Sequence, residues 1–191
     1  MSRRTSYMAL AVGLTMLLLV ALWIVLDTHS AKPKTQDSTQ RPIVIGNTDE
    51  ILSLDPAETY IVHDWEILYN AGSRLLTDIP GTTVLAPGLS TTMPEVSPDG
   101  LVYTFIIRSC LQFPDCSAFN ADAVKWSIDR VVALGGSPSW MVTGFVSEVQ
   151  AVDSTTIRFV LNQASAFFPQ LLTVAPYYPV SPNCFPADRF D

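Results

Sequence analysis

The stretch from Ser97 to Cys116, SPDGLVYTFIIRSCLQFPDC, constrains the fold of this chain more than any other. It opens with Ser97-Pro98-Asp99-Gly100. Proline fixes φ and glycine accepts φ > 0, so these residues predict a tight turn. Leu101, Tyr103, Phe105 and Ile107 then alternate with Val102, Thr104, Ile106 and Arg108. That period of two, with apolar side chains on both faces, predicts a β-strand with both faces partly buried. A few residues on, Asn120 is a good N-cap, with Asp122 in the first turn. Val124, Ile128, Val131 and Val132 supply an apolar stripe to about Leu134, where LGGSPSW ends the predicted helix.

Other elements are read the same way. Arg41–Asn47 is a short β-type run ending in a Gly46 turn. Asp55-Pro56 suits a turn and a helix start, and Tyr60–Leu76 then has helical spacing through Trp65, Leu68, Gly72 and Leu75. Pro80-Gly81 is a turn and Val84–Leu89 a short strand. Glu148–Val152 and Thr156–Leu161 form a hairpin about Asp153-Ser154. ASAFFPQLLTV is a short apolar helix with Ser165 as its candidate cap. No internal repeat is visible. The mixture of strands and helices makes the fold class mixed α/β.

The chain is 48% hydrophobic and 15% charged, too apolar for a disordered protein. Part of that excess is the uncharged run MALAVGLTMLLLVALWIVL, Met8–Leu26. At about 1.5 Å per residue it makes a helix of roughly 28 Å, the thickness of a bilayer core. Arg3 and Arg4 precede it, so the remainder is expected on the outer face. Residues 1–26 are therefore read as a signal anchor or signal peptide. The apolar run is longer than a cleaved signal needs, and no good cleavage site follows it. Residues 27–40 are a polar tether, and 41–191 the folded lobe. The formal net charge of −7 argues against nucleic acid as a partner.

The chemistry is sparse. Only His29 and His63 occur, and Cys110 and Cys116 are spaced too widely for a zinc knuckle. No phosphate-binding, dinucleotide or nucleophile-elbow motif appears, so neither a metal, a cofactor nor an enzyme is expected. Asp64 and Glu66 are two apart on a predicted helix and read as a solvated face. In an oxidising compartment Cys110 and Cys116 predict a disulfide around LQFPD. Closing a loop of about seven residues is worth roughly 2.4 kcal/mol in the chain-entropy model. Cys184 is left over, as a buried thiol or as half of a bridge to another chain.

Taken together, these blocks resemble the N-terminal part of the solute-binding proteins of peptide- and nickel-type ABC transporters. The resemblance is carried by Ile43-Val44-Ile45-Gly46, Ser53-Leu54-Asp55-Pro56-Ala57, Leu75-Leu76 and Pro87-Gly88-Leu89-Ser90. It continues through Val96–Cys116, Asn120–Val124 with Ser127, Asp129 and Arg130, and Val149–Leu161. Cys110 and Cys116 stand where that pattern has glycines, and a paired replacement at the two ends of one turn adds to the disulfide expectation. The resemblance implies the first lobe only of a periplasmic-binding-protein-like type II fold, incomplete without its second lobe. It implies an extracytoplasmic receptor, in the periplasm or on the outer face of the cytoplasmic membrane. The implied partners are a peptide or other small solute, ABC permease subunits, and the membrane through the N-terminal helix. It places Glu50 and Ile51 near the ligand cleft. Tyr60 and Trp65 have two readings, cleft-facing and core-packed, the second being the commoner fate of such residues. A membrane-tethered sensor using the same fold without transport is the alternative function, and an extracytoplasmic hydrolase a remote third.

Overall fold

The computed structural model describes residues 44–46 and 48–190. The predicted helix of residues 8–26 and the tether of 27–40 lie outside the described residues. Among the described residues, no helix is long and apolar enough to cross a membrane. Val44–Gly46 carry no strand, unlike the β-type run expected there, and they fall in a different unit from the rest.

The Ser97–Gly100 turn forms as predicted. Gly100 has φ 71°, and the Asp99 carboxylate accepts from the Leu101 amide at 3.1 Å and the Ser97 hydroxyl at 2.5 Å. The turn joins strand β3 (Glu95–Val96) to β4 (Val102–Ile106). β5 (Val146–Ala151) and β6 (Thr156–Leu161) complete a four-stranded antiparallel sheet in the order β3-β4-β6-β5. The hairpin between the last two turns about Asp153, whose carboxylate accepts from the Thr155 and Thr156 amides at 2.8 and 2.9 Å. β5 lies at an edge, and its pairing with β6 slips by a residue between Val146 and Glu148. A smaller sheet pairs β1 (Leu76–Asp78) with β2 (Leu85–Pro87).

Register decides which side chains are buried. Tyr103 pairs with Phe159 and Phe105 with Ile157, so one face of β4 and β6 carries Tyr103, Phe105, Ile157, Phe159 and Leu161, all buried. Phe105 and Phe159 meet edge-to-face at 5.8 Å. The other face of β4 is more open, and Ile106 is 43% exposed. Val102, Thr104, Arg158 and Val160 on that face are half-buried, so both faces are partly buried, one far more than the other.

The long helix α2 (Ala121–Leu134) lies on the covered face. Asn120 caps it as predicted, its side chain accepting from the Ala123 amide at 2.9 Å. Gly135 closes the helix with φ 62°. Val124, Ile128 and Val131 face the core, whereas Val132 is 44% exposed. Helix α1 (Val62–Ala71) is shorter than the Tyr60–Leu76 expected. Its end is set at Gly72, where an added Cβ would stand 2.6 Å from the Tyr178 ring. Leu75 and Leu76 therefore leave the helix and enter the core from an extended segment, Leu76 starting β1. Two single turns, α3 (Trp140–Thr143) and α4 (Phe168–Leu171), and a 3-10 turn (Ala175–Tyr177) complete the described elements. Ser165 does not cap α4 with its side chain. Its carbonyl accepts instead from the Phe168 amide and the Tyr103 hydroxyl.

The expected Cys110–Cys116 disulfide does not form: both residues are exposed thiols. The register of the small hairpin between them explains why. Gln112 pairs with Ala118, the Phe113 amide donates to the Ser117 carbonyl, and the Phe119 amide donates to that of Leu111. Cys116 thus sits in the connecting turn while Cys110 lies at the far end of the ladder. The two cysteines are therefore not opposite each other in that pairing. Both cysteines have left-handed backbones, with φ 61° and 66°. Each fills a position whose conformation suits glycine, as the family pattern implies.

Candidate functional site: the loop above two buried carboxylates

Residues 50–60 have no helix or strand of their own and cross the surface beside α1. They are held from below by two aspartates. Asp55 is fully buried and accepts two hydrogen bonds from the Arg130 guanidinium, at 2.8 and 2.6 Å. The same carboxylate accepts from the Ala57 amide at 2.9 Å, and the Asp55 carbonyl accepts from the amides of Glu58 and Thr59. The Ser-Leu-Asp-Pro-Ala block is thus a turn folded around one carboxylate. It rests on the loop after α2, where an added Cβ on Gly136 would stand 2.2 Å from the Ala57 carbonyl oxygen. Only glycine permits that approach.

The second anchor is Asp64, in the first turn of α1. The sequence reading put it on a solvated face; in fact it is 1% exposed. Its oxygens accept from the amides of Leu52 and Ser53 at 3.3 and 3.0 Å and from the Thr59 hydroxyl at 3.2 Å. Burying a carboxylate is costly unless its lone pairs are satisfied, and the loop backbone satisfies them here. Glu66, by contrast, remains on the exposed side.

Above these anchors lies a recess of about 230 Å³, lined by Leu52, Ser53, Glu58, Thr59, Tyr60, Ile61, Asp64 and Ser137. One aromatic ring, Tyr60, lines it, and two tryptophans touch that ring from beside the recess. Tyr60 and Trp65 meet edge-to-face at 6.0 Å, and the Trp65 indole N–H donates to the Thr59 carbonyl at 3.1 Å. The Trp140 indole N–H donates to the Tyr60 hydroxyl at 3.2 Å, across 80 residues of chain. Tyr60 is 47% and Trp140 52% exposed. Apolar rings with their polar tips already paired can offer flat faces to a ligand at low entropic cost.

Of the residues singled out from sequence, Tyr60 and Trp65 come together and neither is in the buried core. Glu50 and Ile51 are exposed just before the recess-lining Leu52, and neither lines the recess. Sequence reasoning missed Trp140, Asp64 and Ser137. An exposed tryptophan after the Gly-Gly-Ser-Pro turn was a usable signal for Trp140. Nothing local marked Asp64, because its partners come from an aperiodic loop.

Comparison with known proteins gives the family. The model of the family described as bacterial extracellular solute-binding proteins, family 5 Middle, matches residues 84–190. The probable D,D-dipeptide-binding periplasmic protein DdpA of Escherichia coli is 31% identical over 151 residues, covering 77% of this chain and 27% of that protein. Di/tripeptide-binding protein 4 of Pseudomonas aeruginosa is 37% identical over 114 residues, 50% of this chain and 21% of that one. Among solved structures, the ABC transporter-associated periplasmic binding protein DppA from Helicobacter pylori, in complex with peptide STSA, superimposes with a TM-score of 0.59. It shares 29% identity over 69% of this chain and 29% of its own. The chain thus spans about a quarter of the length of these relatives. With the mixed α/β fold and the residues 84–190 match, the chain belongs to the bacterial extracellular solute-binding proteins of family 5.

Proposed function

We propose that residues 41–191 form the first lobe of an extracytoplasmic peptide receptor that serves an ABC-type uptake transporter. The observation that carries this reading is the recess at the 50–60 loop, lined by Tyr60 with Trp65 and Trp140 packed on that ring, in a chain whose relatives are named as peptide binders. In this reading Tyr60, Trp65 and Trp140 offer ring faces to the peptide, and Glu50 and Ile51 contact it at the loop edge. Residues 8–26 then act as anchor or signal and 27–40 as tether, which puts the lobe outside the cytoplasm. The work done is binding, without bond making or breaking. A peptide that touches both lobes of such a receptor favours their closed arrangement through the contacts added on closure, and permease subunits would sense that arrangement.

The test is a titration of the full-length chain, followed by tryptophan emission, with pools of di-, tri- and tetrapeptides and with nickel and sugars as controls. A saturable response to peptides is expected, reduced several-fold by Tyr60→Ala. A response to nickel or sugars with none to peptides overturns the reading.

A further inference from the structure

We propose that Arg130 is the positioning residue of the binding loop: without touching a ligand, it fixes where the 50–60 loop, and with it the Tyr60 ring, stands. This rests on the proposed function above. Arg130 comes from the middle of α2 and is 4% exposed. Its guanidinium is used almost completely. Nη1 and Nη2 grip the two oxygens of Asp55, Nε donates to the Pro186 carbonyl at 2.5 Å, and Nη2 donates to that of Arg189 at 2.9 Å. The Phe185 ring packs against it at 5.4 Å.

A two-point grip by a planar fork sets the orientation of the carboxylate as well as its place. From Asp55 the restraint passes to the turn of residues 55–59 through the Ala57, Glu58 and Thr59 amides, and then to Tyr60 and the Trp140 indole. The far end of the grip is fixed by a helix packed on the sheet and by the segment of residues 185–189. A buried ion pair adds little net stability compared with apolar residues of the same volume, because desolvation offsets the attraction. What it supplies here is a single allowed placement for a loop that has no secondary structure of its own.

The deciding variants are Arg130→Lys, which keeps the charge and loses the fork, and Asp55→Asn, which keeps the shape and loses the charge. Both are made in the full-length chain. Amide exchange is followed residue by residue, and affinity is read for the tightest-binding peptide of the pools. In each variant, exchange at Leu52, Ser53, Ala57 and Thr59 is expected to rise at least tenfold, while amides of Val102–Ile106 and Thr156–Leu161 change less than twofold. Peptide dissociation constants are expected to rise at least tenfold. The proposal is overturned by unchanged loop exchange, or by faster exchange spread equally through the sheet. A loosened loop with unaltered affinity overturns it too, as does failure of both variants to fold. If the unaltered chain binds no peptide, the receptor reading falls, and the exchange data alone decide whether Arg130 places the loop.

Discussion

At the scale of single residues, backbone conformation explains what side-chain chemistry suggested wrongly. Cys110 and Cys116 invite a disulfide because they are two thiols six residues apart; their left-handed φ values show that they stand in for glycine. A left-handed L-residue costs about 1–2 kcal/mol, and glycine gives back about 0.5–1 kcal/mol in unfolded-chain entropy. Cys110→Gly and Cys116→Gly are therefore each expected to stabilise the chain by about 0.5–1 kcal/mol, read as a higher urea midpoint at unchanged slope. In the unreduced native chain both thiols should react with a thiol reagent, and mass spectrometry locates the labels. Asn120 was legible from sequence because capping is local: its partner amide is three residues away. Asn120→Ala should cost about 1 kcal/mol in denaturant melts.

At the scale of elements, what could be read from the sequence was periodicity, and what could not was contact between distant segments. The alternation from Leu101 to Ile107 gave the strand and its buried face, and the apolar stripe from Val124 to Val131 gave α2. Phe159, at the centre of the aromatic cluster with Phe105, Phe168 and Tyr177, is fully buried. Phe159→Ala is expected to cost about 3–5 kcal/mol in the same melts. Helical spacing persists to Leu75, but α1 ends at Gly72, where the Tyr178 ring from about a hundred positions away packs too close for any side chain. The candidate site divides likewise. Tyr60 and Trp65 were legible as aromatic candidates, though not that their rings meet. Trp140 reaches them from across the chain, and Asp64 owes its burial to backbone amides that have no sequence signature.

At the scale of the whole molecule, titration follows from where hydroxyls and buried rings lie. The Ser117 and Ser181 hydroxyls and the Ser117 amide hold the Asp115 carboxyl far below the usual carboxylate range. The Ser97 hydroxyl lowers that of Asp99, and the Thr155 amide with the Thr156 and Thr155 hydrogen bonds lowers that of Asp153. Depressed carboxylates stabilise above their unfolded pKa of about 3.9, and that contribution is lost as pH falls through the folded values. Burial pushes the Tyr178 hydroxyl up to about 12 and that of Tyr177 higher still. Unfolded tyrosine ionises near pH 10, so the unfolded state sheds protons first and stability declines from about pH 10 upward. Urea midpoints measured by circular dichroism should therefore drop below about pH 4 and above about pH 10, with a plateau between. Tyr178→Phe should make the alkaline decline shallower. The slipped pairing at Val146–Glu148 bears on how many copies can share a solution. A flat outer strand is a template on which neighbouring molecules stack into fibres. Here the extra residue twists that border and Glu148 charges it, so this edge offers crowded molecules no straight rail along which to zip together.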